Sequence, residues 1–138
     1  MFDTSTGTGA RALRRLQEEQ IAWLTTVRRD GMPQPVPVWF LWEDGAFLIY
    51  TSAGAHKLRN IRSNPCAAIN LNSGADGNDI VRAEGHAELL QDFPPPDEHS
   101  QYLQKYRRGM ALVSGDPQSF AGCYGTAFRV IPERWQVW

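Results

Sequence analysis

Two Asp-Gly dipeptides, Asp30-Gly31 and Asp44-Gly45, punctuate the first third of the chain. Asp-Gly between apolar runs is a strong short-range signal for a β-hairpin, because glycine supplies the positive φ of a tight reversal. The flanking runs fit. Ile21 to Val27 (IAWLTTV) is β-branched and aromatic. Gln34 to Trp42 alternates, with Val36, Val38 and Phe40 on one face and Trp39 and Leu41 on the other. Ala46 to Thr51 follows the second turn. The spacing predicts three antiparallel strands in a meander.

The remaining chain reads the same way. Ala10 to Gln20 has Leu13 and Leu16 at helical spacing among charged residues, a short amphipathic helix. Ala55 to Ser63 predicts a second helix with Leu58 and Ile61 on its buried side, stopped by Pro65. Cys66 to Leu71 is a fourth strand, and Asn72 to Asn78 a loop by composition. Asp79 to Leu90 is a fifth strand, bulged at Gly85. Phe93 to Asp97 contains three consecutive prolines and is a connection. Glu98 to Met110 is a helix with Tyr102, Leu103 and Tyr106 on one face, and a further helical turn follows Pro117. Tyr124 to Ile131 is a sixth strand and Arg134 to Trp138 a short terminal one. Together these predict a mainly β fold with minor α: a small barrel of six or seven antiparallel strands whose open ends are covered by short helices. Residues 1–9 read as a disordered lead-in and 10–138 as a single domain.

Composition narrows the function. Fourteen basic against fifteen acidic residues, a net charge of -1, argue against a general nucleic-acid binder. No apolar run approaches the ~18 residues of a membrane span, and the polar N-terminus does not resemble a signal peptide. Cys66 and Cys123 lie far apart, which suits a reduced cytoplasmic compartment with both thiols structural. Twelve of the fourteen basic residues are arginine, leaving only Lys57 and Lys105. Codon bias in a GC-rich genome accounts for the ratio, but it makes the surroundings of each lysine worth reading.

No familiar catalytic constellation is present. His56, His86 and His99 do not fall at metal-ligand spacing, so no metal site is expected. There is no nucleophile elbow, P-loop or dinucleotide fingerprint. The exception is Tyr50 to Arg62 (YTSAGAHKLRNIR), where a strand runs through a glycine-containing turn into a helix. A helix start leaves free backbone N–H groups, a ready anion site. His56 and Lys57 fall in that first turn, where a cation opposes the helix dipole at a cost of ~0.3–1 kcal/mol. A bound phosphate removes the conflict. Arg59 and Arg62 add positive field, although a solvated helix face explains them equally well. The second feature is Pro33 to Trp39 (PQPVPVW). Pro35 and Pro37 cannot donate to a ladder and mark a sheet edge, either protected against aggregation or open to a flat ligand. The five tryptophans fit the core, a subunit interface or the border of a ring pocket.

The runs Leu24 to Trp42 (LTTVRRDGMPQPVPVWFLW) and Phe47 to Leu71 (FLIYTSAGAHKLRNIRSNPCAAINL) resemble the pyridoxamine 5′-phosphate oxidase-like family, the flavin-binding split β-barrels. They look closest to its deazaflavin branch of F-420-dependent reductases. The closing segment Arg129 to Trp138 (RVIPERWQVW) is similar to the family's last strand. The resemblance implies a homodimer of split barrels with cofactor sites in clefts between subunits. It places the family's phosphate-binding basic pair on His56 and Lys57. Thr51 and Ser52 match positions that touch the cofactor, and Gln34 and Val36 match the strand beneath the ring. Arg59 and Asn60 lie in the same helix, near the phosphate or its tail. No residue is assigned a catalytic role.

Three departures bear on the cofactor. Val36, Leu41 and Ile80 stand where the true oxidases carry an arginine, a lysine and a glutamine for FMN. Their loss points away from vitamin B6 oxidation and toward coenzyme F-420, with FMN as the alternative cofactor. The expected activity is hydride transfer from F-420 to an electron-poor small organic acceptor. The alternatives are an FMN-dependent oxidoreductase of the same family, a non-catalytic protein that binds or stores a flavin, deazaflavin or haem-like ligand, and an interaction domain with an empty cleft.

Overall fold

The first hairpin forms as its turn dictates, but the second strand does not continue as expected. The computed structural model describes all residues 1–138. Strand β1 (Ile21–Val27) pairs antiparallel with β2 (Pro33–Trp39), and β3 (Leu41–Glu43) with β4 (Ala46–Thr51). The single run expected over Gln34 to Trp42 is thus two strands divided at Phe40, and the three-strand meander does not form. The remaining strands are β5 (Cys66–Leu71), β6 (Val81–Leu89) and β7 (Thr126–Val137), and the sheet order is β2-β1-β5-β6-β7-β4-β3. β2 and β3 therefore sit at opposite edges of one sheet, yet a single residue joins them. Consecutive Cα atoms are 3.8 Å apart, so the two edges must meet at Phe40 and the sheet must curl. They do not pair beyond that corner. The result is a seven-stranded antiparallel split barrel with four helices, as the mainly β reading expected.

Tyr106 holds this corner. Its Oη accepts from the Phe40 N–H at 2.8 Å and donates to the Gln20 carbonyl at 2.7 Å, with the Phe40 carbonyl at 2.9 Å. Lys105 Nζ donates to the same Phe40 carbonyl at 2.7 Å and lies 4.0 Å over the Phe40 ring. One of the two rare lysines is thus part of the clasp where the chain changes edges.

Four helices surround the sheet: α1 (Gly7–Glu18), α2 (His56–Ser63), α3 (Ser100–Ser114) and α4 (Pro117–Cys123). α1 begins three residues earlier than expected, because Thr6 caps it by accepting from the Gly9 N–H at 3.0 Å. The first nine residues, read as a disordered lead-in, hold this cap, and Phe2 packs edge-on against Trp135 at 4.9 Å. The core has two parts. Leu24, Phe40, Ile49, Ile69 and Phe128 fill the barrel with Leu16 of α1 and Leu58 of α2. Outside the barrel, Leu48 and Tyr50 meet Tyr102, Tyr106, Met110 and Phe120 of α3 and α4. β4 is consequently buried at every residue, which explains its unbroken apolar run. Cys66 and Cys123 are free and exposed rather than packed in either core. His86 and His99 have partners, Glu133 at 2.6 Å and Glu43 at 3.1 Å. No helix is long and apolar enough to cross a membrane.

β7 also corrects an expectation. The two terminal strands are one, because the register shift at Glu84/Gly85 makes Gly85 face Pro132 and Glu84 face Arg134. Glu133 is the extra residue, and the ladder resumes beyond it. The bulge foreseen at Gly85 has a steric reason: a Cβ there would stand 1.9 Å from the Ile131 carbonyl oxygen. Gly85→Ala is expected to destabilise the fold by roughly 1–3 kcal/mol through this overpacking, measured as a lower urea midpoint at unchanged slope.

The phenols of Tyr50, Tyr102 and Tyr106 are all pushed up from 10.0, chiefly by burial, whereas burial pushes Lys105 down to about 8. Between pH 8 and 10 the unfolded chain holds the Lys105 proton and the folded chain has lost it, so stability rises with pH. Above pH 10 the unfolded phenols ionise first and stability falls. Thermal unfolding followed by circular dichroism should show a maximum in that window, and Lys105→Met should flatten the rising side.

Candidate functional site

β4 ends at Thr51, where the Ala55 N–H donates to the Ser52 carbonyl at 3.1 Å and turns the chain into α2. Ala55 occupies the helix N-cap without a side-chain hydrogen bond, and the first turn carries no acidic residue. Leu58 and Arg59 N–H groups reach the Ala55 carbonyl, while those of His56 and Lys57 have no acceptor within the chain. The two free amides and the Lys57 ammonium therefore share one helix start. Lys57 Nζ contacts Thr51 Oγ1 at 3.3 Å, and no carboxylate lies within ion-pair distance of it. Burial holds the Lys57 ammonium below the ordinary lysine value. An anion at this point would satisfy the amides and restore the charge.

Asn60 fixes the helix against the sheet. It is buried, and its Nδ2 donates to Thr26 Oγ1 at 3.0 Å and to Gln34 Oε1 at 2.9 Å. This ties α2 to β1 and to edge strand β2, whose prolines Pro35 and Pro37 mark the expected edge. Between β2 and α2 runs a groove of about 570 Å³ bordered by Gln34, Val36, His56, Lys57 and Asn60. Lys57 also borders a second, smaller chamber of about 260 Å³, walled by Trp39, Tyr50, Thr51, Tyr102, Phe120 and Tyr124. Lys57 thus stands in the wall common to both spaces.

The eight expected site residues divide accordingly. Gln34, Val36, His56, Lys57 and Asn60 meet in the groove, and Thr51 joins Lys57 in the chamber. Arg59 turns away. It contacts His56 Nδ1 and borders a third hollow of about 500 Å³ with Arg28, Arg29 and Arg62. Ser52 borders neither space; its carbonyl holds the turn. Sequence reasoning missed Thr26, which orients Asn60, and the whole wall of the chamber contributed by α3 and α4. Those residues lie some fifty or more positions from Thr51 and carry no local signal; only the aromatic spacing of Tyr102 and Tyr106 hints at them. No group of three or more His, Cys, Asp or Glu residues is placed to hold a metal ion.

Comparison with known proteins gives a consistent picture. The family described as Pyridoxamine 5′-phosphate oxidase matches residues 10–138. The F420H(2)-dependent biliverdin reductase of Mycobacterium tuberculosis is 31% identical over 110 residues, 78% of each chain. A solved structure named F420 Reductase is 25% identical with a TM-score of 0.67, covering 89% of this chain and 94% of the other. The heme storage protein HutZ of Vibrio cholerae shares the fold, with a TM-score of 0.71 at 18% identity over 96% of this chain and 95% of that one.

Proposed function

The chain belongs to the pyridoxamine 5′-phosphate oxidase family, and on that premise we propose that it is an oxidoreductase that binds the deazaflavin coenzyme F-420 and reduces an electron-poor small organic acceptor. The observation that carries this reading is Lys57, a partly buried cation with no carboxylate partner, set beside two free amides at the start of α2. That set fits a phosphate-bearing cofactor. The named relatives that use F420 support the deazaflavin over FMN, as does Val36, which offers no second cation on the strand that borders the groove.

The cofactor, when bound, supplies the hydride. The chain's own residues bind and orient it. Lys57 and the His56 and Lys57 amides hold the phosphate, Asn60 locks Gln34 in the groove, and the edge of β2 gives a flat floor. Tyr50, Tyr102 and Tyr106 keep their protons at neutral pH, so none of these three serves as a base. We also propose a homodimer. A shallow hollow of about 470 Å³ lies over Thr25, Ala68, Glu84 and Arg134, small and polar neighbours across four strands of the outer sheet face. A second copy laid there would pack its outer sheet face against this one. Light scattering behind size exclusion should give twice the 15.5 kDa chain mass; a monomer sinks that part.

The decisive test is a titration of the purified protein with F-420 and with FMN, followed by fluorescence anisotropy. Binding of F-420 with consumption of its reduced form in the presence of enone or quinone acceptors is the expected result. Micromolar binding of FMN with none of F-420 overturns the cofactor. Binding of F-420 with no turnover of any acceptor makes the protein a carrier instead.

A further inference from the structure

His99 holds the start of α3 by both of its ring nitrogens. It is the N-cap residue, and its Nδ1 accepts from the Tyr102 N–H at 3.2 Å. Its Nε2 lies 3.1 and 3.2 Å from the two carboxylate oxygens of Glu43 on β3. The two side chains are only 13% and 15% exposed, so water does little to replace either contact. Both contacts are made at once only by the neutral ring with its proton on Nε2, which donates to Glu43 while the Nδ1 lone pair accepts. No acidic residue in the first turn of α3 offers a second cap. The usual caps are Ser, Thr, Asp and Asn, none of which changes charge near neutral pH; an imidazole does.

The groups around the ring are placed to rearrange. Phe93 of the proline-rich connection packs 5.9 Å from His99, meets Tyr50 at 6.3 Å, and carries the Arg129 guanidinium over its face at 5.4 Å. The charged and titratable neighbours are therefore Glu43 from β3, Tyr50 from β4, Arg129 from β7, and Asp97 and Glu98 from the connection that leads into α3. Tyr50 feels Glu43 and Asp97 as negative neighbours and Arg129 as a positive one, and Glu98 is exposed. Two of this set are unsatisfied: Asp97 Oδ1 and Arg129 Nε are buried and have no hydrogen-bond partner. Unpaired buried polar atoms are rare in folded proteins and mark places where strain is kept. Asp97 stands two residues before the cap, and its free oxygen is an acceptor that an unprotonated Nδ1 cannot use.

We propose that His99 is an acid-sensitive latch on the start of α3. A proton taken from solvent puts a hydrogen on Nδ1, opposite the Tyr102 N–H, and two donors cannot share one hydrogen bond. The cap is lost. The contact with Glu43 becomes an ion pair, and the new Nδ1–H finds its acceptor in Asp97. Charge on the ring thus exchanges a bond within α3 for bonds to β3 and to the connection, and the first turn of the helix frays. Tyr102 belongs to that turn and lines the chamber beside Lys57, so acid slackens one wall of it. The latch is a property of the chain alone and does not depend on which cofactor the protein binds.

Amide hydrogen exchange followed by NMR on the full chain tests this without any ligand. The protein is taken from about pH 8 to about pH 5, the range in which an imidazole changes charge. Protection of the Tyr102 amide, corrected for the intrinsic exchange rate, should fall roughly fivefold, the worth of one N-cap. The barrel amides of Ile69 and Phe128 should keep theirs. His99→Asn supplies a cap that does not titrate, so Tyr102 should stay protected at both ends of the range. His99→Ala supplies none, so protection should be low at both ends. Wild-type Tyr102 protection that ignores pH, the same fall in His99→Asn, high protection in His99→Ala, or a fall shared by Ile69 and Phe128 overturns the proposal.

Discussion

Tyr106→Phe should lower folding stability by about 1–3 kcal/mol, a large effect for the loss of one oxygen atom. The hydroxyl serves the Phe40 N–H and the Phe40 and Gln20 carbonyls. Phenylalanine keeps the ring stack on Trp39 but strands the buried Phe40 N–H, while the carbonyl of exposed Gln20 turns to solvent. Each buried backbone group left without a partner costs about 1–3 kcal/mol. The Phe40 carbonyl keeps Lys105, so it is excluded from the sum. Urea unfolding should show the loss as a shifted midpoint with the same slope. A loss under about 1 kcal/mol would mean that water reaches Phe40 and that the corner is not held by this hydroxyl.

Lys57→Ala should weaken binding of the phosphate-bearing cofactor by roughly 10- to 100-fold, since a hydrogen bond to a charged group contributes about 1.5–3 kcal/mol. The free protein should not become less stable. Lys57 has no anionic partner, and its removal relieves the burial of a charge. The pair of results matters more than either alone. A structural lysine would lose stability and spare affinity, whereas a ligand-holding one does the reverse. Lys57→Arg should not restore full affinity, because the planar guanidinium cannot follow the stem through a wall shared by two spaces. Anisotropy titration and thermal melts on the same samples give both readings. Affinity within twofold of wild type would remove Lys57 from the site.

The legibility of this chain follows locality. β1, β4 and β5 begin and end where alternation and turn residues place them, because each is bounded by an Asp-Gly, a glycine turn or a proline. The helix start bearing His56 and Lys57 is equally local, and so are its neighbours Thr51 and Asn60. What failed needed knowledge of partners. Phe40 continues an apolar alternation without a break, so nothing in Gln34 to Trp42 announces that its two halves belong to opposite edges. Pro132 reads as a strand end, yet a bulge opposite Gly85 carries β7 through it. The chamber is assembled from β2, β4, α3 and α4, and only the fold brings those segments together. Tyr102 looked like core from its spacing, and it is; its unpartnered hydroxyl appears only once every neighbour is known.

The strand order has a consequence for how the molecule is made. β4 has two partners in the sheet, β3 and β7, and β7 is the last element of the chain. The N-terminal hairpins can form as soon as they emerge, but they cannot be joined into one sheet until the final dozen residues arrive between β6 and β4. Closure therefore waits for β7, and without residues 126–137 the edges of β4 and β6 that it covers would stand open to pairing with another molecule.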